Sequence, residues 1–403
     1  MTGNLRLKTI LSLDEIAAAD WNRCALWAGP AGPDDSERTP VDAANPFVSY
    51  AFLHALEQSR SVGGKSGWTS THLVVEDSDG TVLGVAPAYV KSHSQGEYVF
   101  DHSWADAFQR AGGRYYPKLQ VTAPFTPATG RRLLAAPGDR ALDVEALLQK
   151  GLLALRDDIR ASSAHVTFQS EPEWRRMNPA EWLPRLDVQY HWFNRGYATY
   201  DDFLARLASR KRKGLKKERR EALSPGITVE ALTGPALTEA VWDDFFAFYM
   251  DTGSRKWGRP YLTRAFFSLI GQTMPRQIVL MMARREGRYI AGAINFVGAD
   301  ALYGRHWGCR EDHPFLHFEV CYHQAIDYAI AHGLSRVEAG AQGDHKLARG
   351  YEPVVTRSSH AIANPGFRRA VADFLDHERP QIEAICETMR ADLPFAASGS
   401  TDG

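Results

Sequence analysis

Residues 302–353 read LYGRHWGCREDHPFLHFEVCYHQAIDYAIAHGLSRVEAGAQGDHKLARGYEP, and the fold turns on how this stretch is read. An aromatic run over 302–307 has the alternation of a strand. It passes through a loop into an apolar-periodic segment over 316–332, which predicts a helix whose first turns carry His317, Glu319 and His323. A short strand over 336–339 follows and leads to a polar loop, 342–346, flanked by Gly340, Gly343 and Gly350. Ionisable groups therefore gather where one strand gives way to a helix and where the next strand ends. Ligands in open α/β sheets sit at such strand ends. The pattern points to a catalytic α/β domain.

Outward from that stretch, the order of elements repeats. Pro46-Phe-Val-Ser-Tyr-Ala-Phe-Leu and Pro260-Tyr-Leu-Thr-Arg-Ala-Phe-Phe each place a proline and an aromatic ahead of an N-cap residue, Ser49 or Thr263, and each begins a helix. Two alternating runs about an acidic-glycine turn come next: 72–76 and 81–90 around Asp79-Gly80, then 277–283 and 288–297 around Glu286-Gly287. Both pairs read as β-hairpins. A third run (97–101; 301–307), a helix (141–159; 316–332) and a strand (164–169; 336–339) complete each half. A further strand over 187–194 closes the first half or bridges the two. The fold class is α/β, of the α+β kind: two duplicated domains with mixed, mostly antiparallel sheets flanked by helices. The expected boundaries are an N-terminal domain over 1–185, a C-terminal domain over 186–391 and a small, polar, disordered tail over 392–403.

The bulk numbers agree with two domains, since 403 residues exceed one ordinary core. With 44% hydrophobic and 24% charged residues the composition is that of a folded protein, and a net charge of −1 gives no whole-molecule field toward nucleic acid or membrane. Four cysteines without CxxC spacing suggest a reducing compartment. No secretory signal and no run approaching the ~18 apolar residues of a spanning helix is read, so a cytoplasmic location is expected. One region breaks the charge balance. In Arg210-Lys-Arg-Lys-Gly-Leu-Lys-Lys-Glu-Arg-Arg220, on a helix expected over 200–222, Glu218 is the sole acid. A solvated helix interleaves acids with its bases, so Lys211, Arg212, Lys213, Lys216, Lys217 and Arg220 are expected to hold an anionic donor.

Several stretches carry a resemblance: NPFVSYAFLHALE, GEYVFDHSWADAFQRAGGRYYPKLQ, SRKRKGLKKERR, TGSRKWGRPYLTRAFF, LYGRHWGC, LHFEVCYHQAIDYAI and EAGAQGDHKLARGYEP. Together they resemble the FemAB-like group of the GNAT N-acyltransferase superfamily, in its tandem form. The resemblance implies a bacterial, cytoplasmic transferase that moves an acyl or aminoacyl group from acyl-CoA or aminoacyl-tRNA to an amine, in peptidoglycan-related metabolism. The acceptor would be a small molecule or a cell-wall precursor. One departure stands out. CoA-using GNAT domains carry R/Q-x-x-G-x-G/A after the fourth strand, a loop whose amides cradle the pyrophosphate. Here the second half has Arg310-Glu-Asp-His-Pro, and Gln109-Arg-Ala-Gly-Gly-Arg114 in the first half ends on arginine. The acyl-CoA motif is thus not intact, and aminoacyl-tRNA, which needs a basic surface rather than a glycine cradle, stands beside acyl-CoA as the donor.

Acyl transfer to an amine needs a base, donors for the oxyanion and charge for the leaving group. Glu319 and His323, four apart on one helix face, supply a carboxylate base and a substrate contact, and His317 lies on the neighbouring face. In the glycine-flanked loop His345 is a base or proton shuttle, Asp344 orients it and Lys346 neutralises a phosphate or carboxylate. Arg305, His306 and Trp257 (in Arg255-Lys-Trp-Gly-Arg259) extend the substrate surface. The first half contributes Asp101, His102 and Lys118 to an acceptor groove. No metal is expected, because the histidines lack the H-E-x-x-H type of spacing. The competing function is a non-catalytic module that binds peptidoglycan precursors or RNA.

Overall fold

The computed structural model describes residues 4–26, 45–224, 226–256, 260–340 and 343–396. In chain order the first elements are β1 (Arg6–Ile10), α1 (Ala18–Ala25), α2 (Tyr50–Gln58), β2 (Trp68–Ser70), β3 (His72–Glu76), β4 (Val82–Ala86), β5 (Ala88–Lys91), α3 (His102–Arg110), β6 (Lys118–Val121), β7 (Leu134–Ala135), α4 (Ala141–Asp158), β8 (Ser163–Gln169) and α5 (Glu171–Arg175). They continue with β9 (Leu183–Phe193), α6 (Tyr200–Ala205), α7 (Ser209–Leu223), β10 (Thr228–Leu232), α8 (Glu239–Lys256) and α9 (Arg264–Thr273). The chain then forms β11 (Ile278–Arg285), β12 (Arg288–Val297), β13 (Ala301–Cys309), α10 (Leu316–Phe318), α11 (Gln324–Ala331), β14 (Arg336–Glu338), β15 (Glu352–Ile362) and α12 (Pro365–Ala391).

These elements divide into two compact units. The first comprises Met1–Asp187, Tyr261–Phe266 and Val355–Glu383; the second comprises Val188–Pro260, Phe267–Val354 and Ala384–Gly403. In the first, β1-β3-β4-β7 form one antiparallel sheet, and strands run in the order β15-β8-β6-β5-β2 in another. There β6 and β8 are parallel, as a helical crossover through α4 requires. Val144, Leu148 and Leu152 of α4 bury against Leu73, Val75, Leu119 and Val166. Gly84 permits the close approach, for a Cβ there would lie 2.3 Å from Val144. Ser49 caps α2 by accepting from the Phe52 amide, as its position predicts.

Strands of the second unit run in the order β10-β11-β12-β13-β14-β9. The β11–β12 hairpin closes on Glu286-Gly287 with φ of 50° and 76°, the doubly left-handed turn that its right-handed twist requires. One core cluster joins Trp192, Phe203, Leu215, Leu302 and Ile326; another joins Val279, Met281, Ile290 and Val320.

Several expectations need correction. Residues 97–101 are not a strand: Gly96 and Tyr98 take positive φ, which breaks extended pairing, and the next strand after β5 is β6. The run 81–90 splits at Pro87, which has no N–H for a ladder, into β4 and β5 in different sheets. Gln109 and Arg110 end α3 and 111–114 follow it, whereas the connection from β6 toward α4 is 122–140, so the segment compared with a phosphate loop lies ahead of β6. The helix expected over 200–222 breaks between α6 and α7, where Leu207 bridges to Phe395 and the Ala208 amide donates to Pro394. Residues 392–396 of the expected tail are therefore ordered there, and 397–403 lie outside the described residues.

A single cut after residue 185 does not describe the units either. Residues 188–193 of β9 belong to the second unit, antiparallel to β14, as that cut expects. But β15 follows β14, and its residues 355–362 belong to the first unit, antiparallel to β8. The later half gives the first unit a strand. The early part of α12 goes with the first unit, since Val371 and Leu375 pack with Trp104, Tyr115 and Leu183.

Helix α8 packs closely on β13: a Cβ on Gly308 would sit 2.0 Å from the Phe248 carbonyl oxygen. Gly308→Ala is expected to cost about 2–3 kcal/mol in urea denaturation, because backbone rather than a side chain would have to yield.

Candidate active site

Strands β13 and β14 pair in parallel only from Ala301–Arg336 to Tyr303–Glu338, whereas β13 stays paired with β12 as far as Cys309. Past Tyr303 the parallel pairing ends. Ile294 opposes His306 and Asn295 opposes Gly304, so Arg305 is an extra residue in β13, a bulge that bends the strand. Phe315 then enters the helix with φ 64°, an unfavourable conformation for an aromatic residue. The helix is interrupted by a π turn over Glu319–His323, where the Gln324 amide donates to the Glu319 carbonyl five residues back. Such turns add a residue to one coil and recur at functional sites.

Two faces of this helix do different things. One turns to α7 and is wholly engaged. Arg219 donates to both carboxylate oxygens of Glu319 (3.0 and 2.9 Å) and to Asp327 (2.7 Å), and Gln324 adds a bond of 2.7 Å to Glu319. Glu319 is fully buried. Its oxygens are taken by the Arg219 fork and the Gln324 amide, so the expected carboxylate base is instead an anchor. His323 is likewise saturated: Nε2 donates to Glu218 (2.8 Å) and Nδ1 accepts from the Tyr200 hydroxyl (2.6 Å). Its expected substrate contact is replaced by a structural one.

The other face carries His317, Phe318 and Tyr322 toward the turn Asp344–Arg349. His345 Nε2 is 2.9 Å from the Tyr322 hydroxyl, and its ring lies 6.3 Å from that of His317 and 5.4 Å from that of Phe318. His317 also packs on Trp307 at 5.3 Å. Gly343, at φ 113°, opens the turn; a Cβ there would lie 2.4 Å from the His345 ring. Lys346 is 2% exposed, donates to the Gly340 carbonyl (3.0 Å) and lies 5.6 Å from the Tyr190 ring centre. Burial lowers its ammonium to about 7, with nearby Arg305 acting in the same direction. The expected loop lysine is thus an interior amine close to its titration point at neutral pH.

Other predicted residues fall elsewhere. Half-buried His306 packs on Tyr249 at 5.0 Å, and desolvation followed by Arg305 lowers it to about 3, so it is a neutral packing histidine. Trp257 and the side chain of Asp344 lie outside the described residues. In the first unit Asp101 and Lys118 do not line an open groove. Both are buried, and Lys118 donates to Glu97 (2.7 Å), Ser94 (2.8 Å) and Asp101. Burial works against the Asp101 carboxylate, but Lys118 more than offsets it and holds the carboxyl below its usual range. His102 is exposed at the start of α3. On α7, Lys211, Lys213, Lys216, Lys217 and Arg220 are exposed and Arg212 is half-buried; Lys216 pairs with Asp201 (2.8 Å) and Lys217 with Glu221 (3.5 Å). No group of three or more His, Cys, Asp or Glu side chains suited to a metal occurs among the described residues.

A comparison with curated proteins finds no match. The profile of one family, described as peptidoglycan biosynthesis/recognition, matches residues 12–397. The chain belongs to the FemAB-like family. Among solved structures, FemX is similar at 11% identity and a TM-score of 0.52, over 91% of this chain and 100% of that one. A tandem GNAT protein from the clavulanic acid biosynthesis pathway shares 12% identity at a TM-score of 0.47, over 90% of this chain and 99% of its own. L-PGS from Bacillus licheniformis shares 10% at 0.48, over 80% and 96%. The fold is that of FemX, two α/β units with mixed sheets flanked by helices.

Sequence reasoning missed Tyr322, Tyr200, Arg219 and Arg349 in this FemAB-like chain. One signal was present: Glu218, the lone acid in a basic run, marks the side of α7 that faces the protein. Arg219→Met is expected to destabilise by about 3 kcal/mol in chemical denaturation, because it leaves Glu319 buried without its partner.

Proposed function

We propose that this FemAB-like protein is an N-acyltransferase that moves an acyl or aminoacyl group from an activated carrier to an amine acceptor in peptidoglycan-related metabolism. The observation that carries this reading is the His345–Tyr322 hydrogen bond beside the buried Lys346 amine, on the turn that follows β14. His345 takes the proton of the attacking ammonium, with Tyr322 fixing the imidazole. Lys346, in its charged form, stabilises the negative charge that develops on the donor carbonyl or its leaving group. His317 and Arg305 border the acceptor. The exposed cations of α7 take the donor, and aminoacyl-tRNA suits them better than acyl-CoA because the loop 310–315 has no glycine for a pyrophosphate cradle.

The test is transfer of a labelled group from aminoacyl-tRNA or acyl-CoA onto an amine-bearing cell-wall precursor. His345→Ala is expected to lower turnover about 10²-fold or more, whereas Glu319→Gln lowers the unfolding midpoint and keeps turnover within a few-fold. Retained precursor binding with no transfer from any donor would replace catalysis by recognition.

Lys346 also sets a pH dependence. Its proton is lost above about 7, so turnover is expected to fall on the alkaline side with a midpoint near that value. The stability effect has the opposite sense. The unfolded lysine holds its proton up to its ordinary range, so the penalty for burying Lys346 is complete below about 7 and fades as pH rises from there. Lys346→Met should therefore raise the thermal midpoint by several degrees at pH 6 and by less at pH 9, while removing turnover.

Donor binding by α7 is expected to be strongly salt-dependent. With about five phosphate contacts, tRNA affinity should drop roughly 10²–10³-fold between 50 and 200 mM salt, as measured by filter binding; a flat response would exclude a polyanionic donor on this helix.

A further inference from the structure

Arg349 stands between the basic helix and the His345 turn, and every donor atom of its guanidinium is engaged. Nε and Nη2 donate to the two oxygens of Glu218 at 2.8 and 2.6 Å, and Nη1 donates to the backbone carbonyl of His345 at 2.7 Å. The guanidinium carbon lies 3.4 Å from the centre of the Phe318 ring, and Phe318 packs on the His345 ring. Arg349 is 6% exposed. Glu218 is held in turn by His323, which Tyr200 fixes from its other nitrogen. His323 and Arg349 keep the Glu218 carboxyl below its usual range in spite of burial.

We propose that Arg349 is a positioning residue: through Glu218 it makes the placement of α7 the placement of the His345–Lys346 turn, and it holds the His345 imidazole in register with Tyr322. This rests on the role assigned to His345 above. The turn itself supplies little stiffness. It is a six-residue 3-10 helix bounded by Gly343 and Gly350, both at positive φ, and such residues yield readily. Arg349 fixes it from two directions, by the bond to the His345 carbonyl and through Phe318, which separates the guanidinium from the imidazole. The fork geometry matters. A planar guanidinium bonds a carboxylate at two points and still reaches a carbonyl on its third nitrogen, and an ammonium does not. The helix that presents exposed cations to an anionic donor therefore also carries the one carboxylate that locates the base.

The test reads His345 directly. Histidine resonances of the full chain are followed by NMR through a pH titration without substrate, in the wild type, Arg349→Lys and Glu218→Gln. His345 is assigned by its loss in His345→Ala, and Arg276→Gln serves as an exposed control. A role in positioning predicts that both variants stay folded and move the His345 midpoint by about half a unit or more. It also predicts a kcat roughly 10- to 100-fold lower with KM within about twofold, and partial rescue by Glu218→Asp. The control should match the wild type in each readout. If both variants only lower the melting temperature, and the His345 titration and kcat are unchanged, Arg349 is a packing residue and the proposal is overturned. Because the titration needs no turnover, a wild-type chain without transferase activity defeats the functional reading alone, and the movement of the His345 midpoint still decides the role of Arg349.

Discussion

Half-buried Arg219 lays a two-point guanidinium on the fully buried Glu319 carboxylate, and the second unit is organised around that contact. Desolvating the carboxylate makes the pair a weak source of net stability, but leaving Glu319 buried alone is costly. Its effect is to specify. Helix α7 can sit on the π turn in one register, with Arg219 over Glu319 and Asp327 and Glu218 over His323. Once that face is fixed, the extra residue of the π turn sends His317, Phe318 and Tyr322 the other way, toward His345.

Local strain collects around the same place. The Arg305 bulge, the left-handed Phe315, the π turn and the glycine-bounded turn at Asp344–Arg349 all fall between the end of β13–β14 pairing and the start of β15. Regular elements would aim these side chains along the sheet. Each irregularity departs from that at an energetic cost, and surrounding structure has to hold it. Lys346 adds a cost of another kind, an amine kept from water that loses much of its charge at neutral pH.

Much of the architecture was legible because it depends on local rules. Ser49 at a helix start, the Glu286-Gly287 turn, the alternation over 288–297 and the periodicity beyond residue 316 each act within a few neighbours, and each produced the expected element. What was not legible depends on partners distant in sequence. Nothing near residue 319 shows that Arg219, a hundred positions earlier, will occupy the carboxylate, so a polar helix turn read as chemistry when it was an anchor. Lys118 and Asp101 misled in the same manner: charges near strand ends suggested an open groove, but they close on each other and on Glu97 within the first unit. His345 and Lys346 stood out in the sequence because a glycine-flanked loop after a strand is a local signal, and that loop does form a glycine-bounded turn. Arg349, four residues on from His345, carries no such local mark, since its partner Glu218 lies 131 positions earlier.

The return of β15 to the first unit bears on how the chain can be made. A ribosome releases β8 long before β15, its neighbour in the finished sheet, because some two hundred residues lie between them. Until the far end emerges, the early half carries an open row of amides and carbonyls beside β8, the kind of edge that recruits other chains. Synthesis of this protein thus carries an aggregation hazard inherent to its topology. By the same logic, dividing the gene at its midpoint would separate each sheet from one of its own strands, even though the sequence looks like two copies laid end to end.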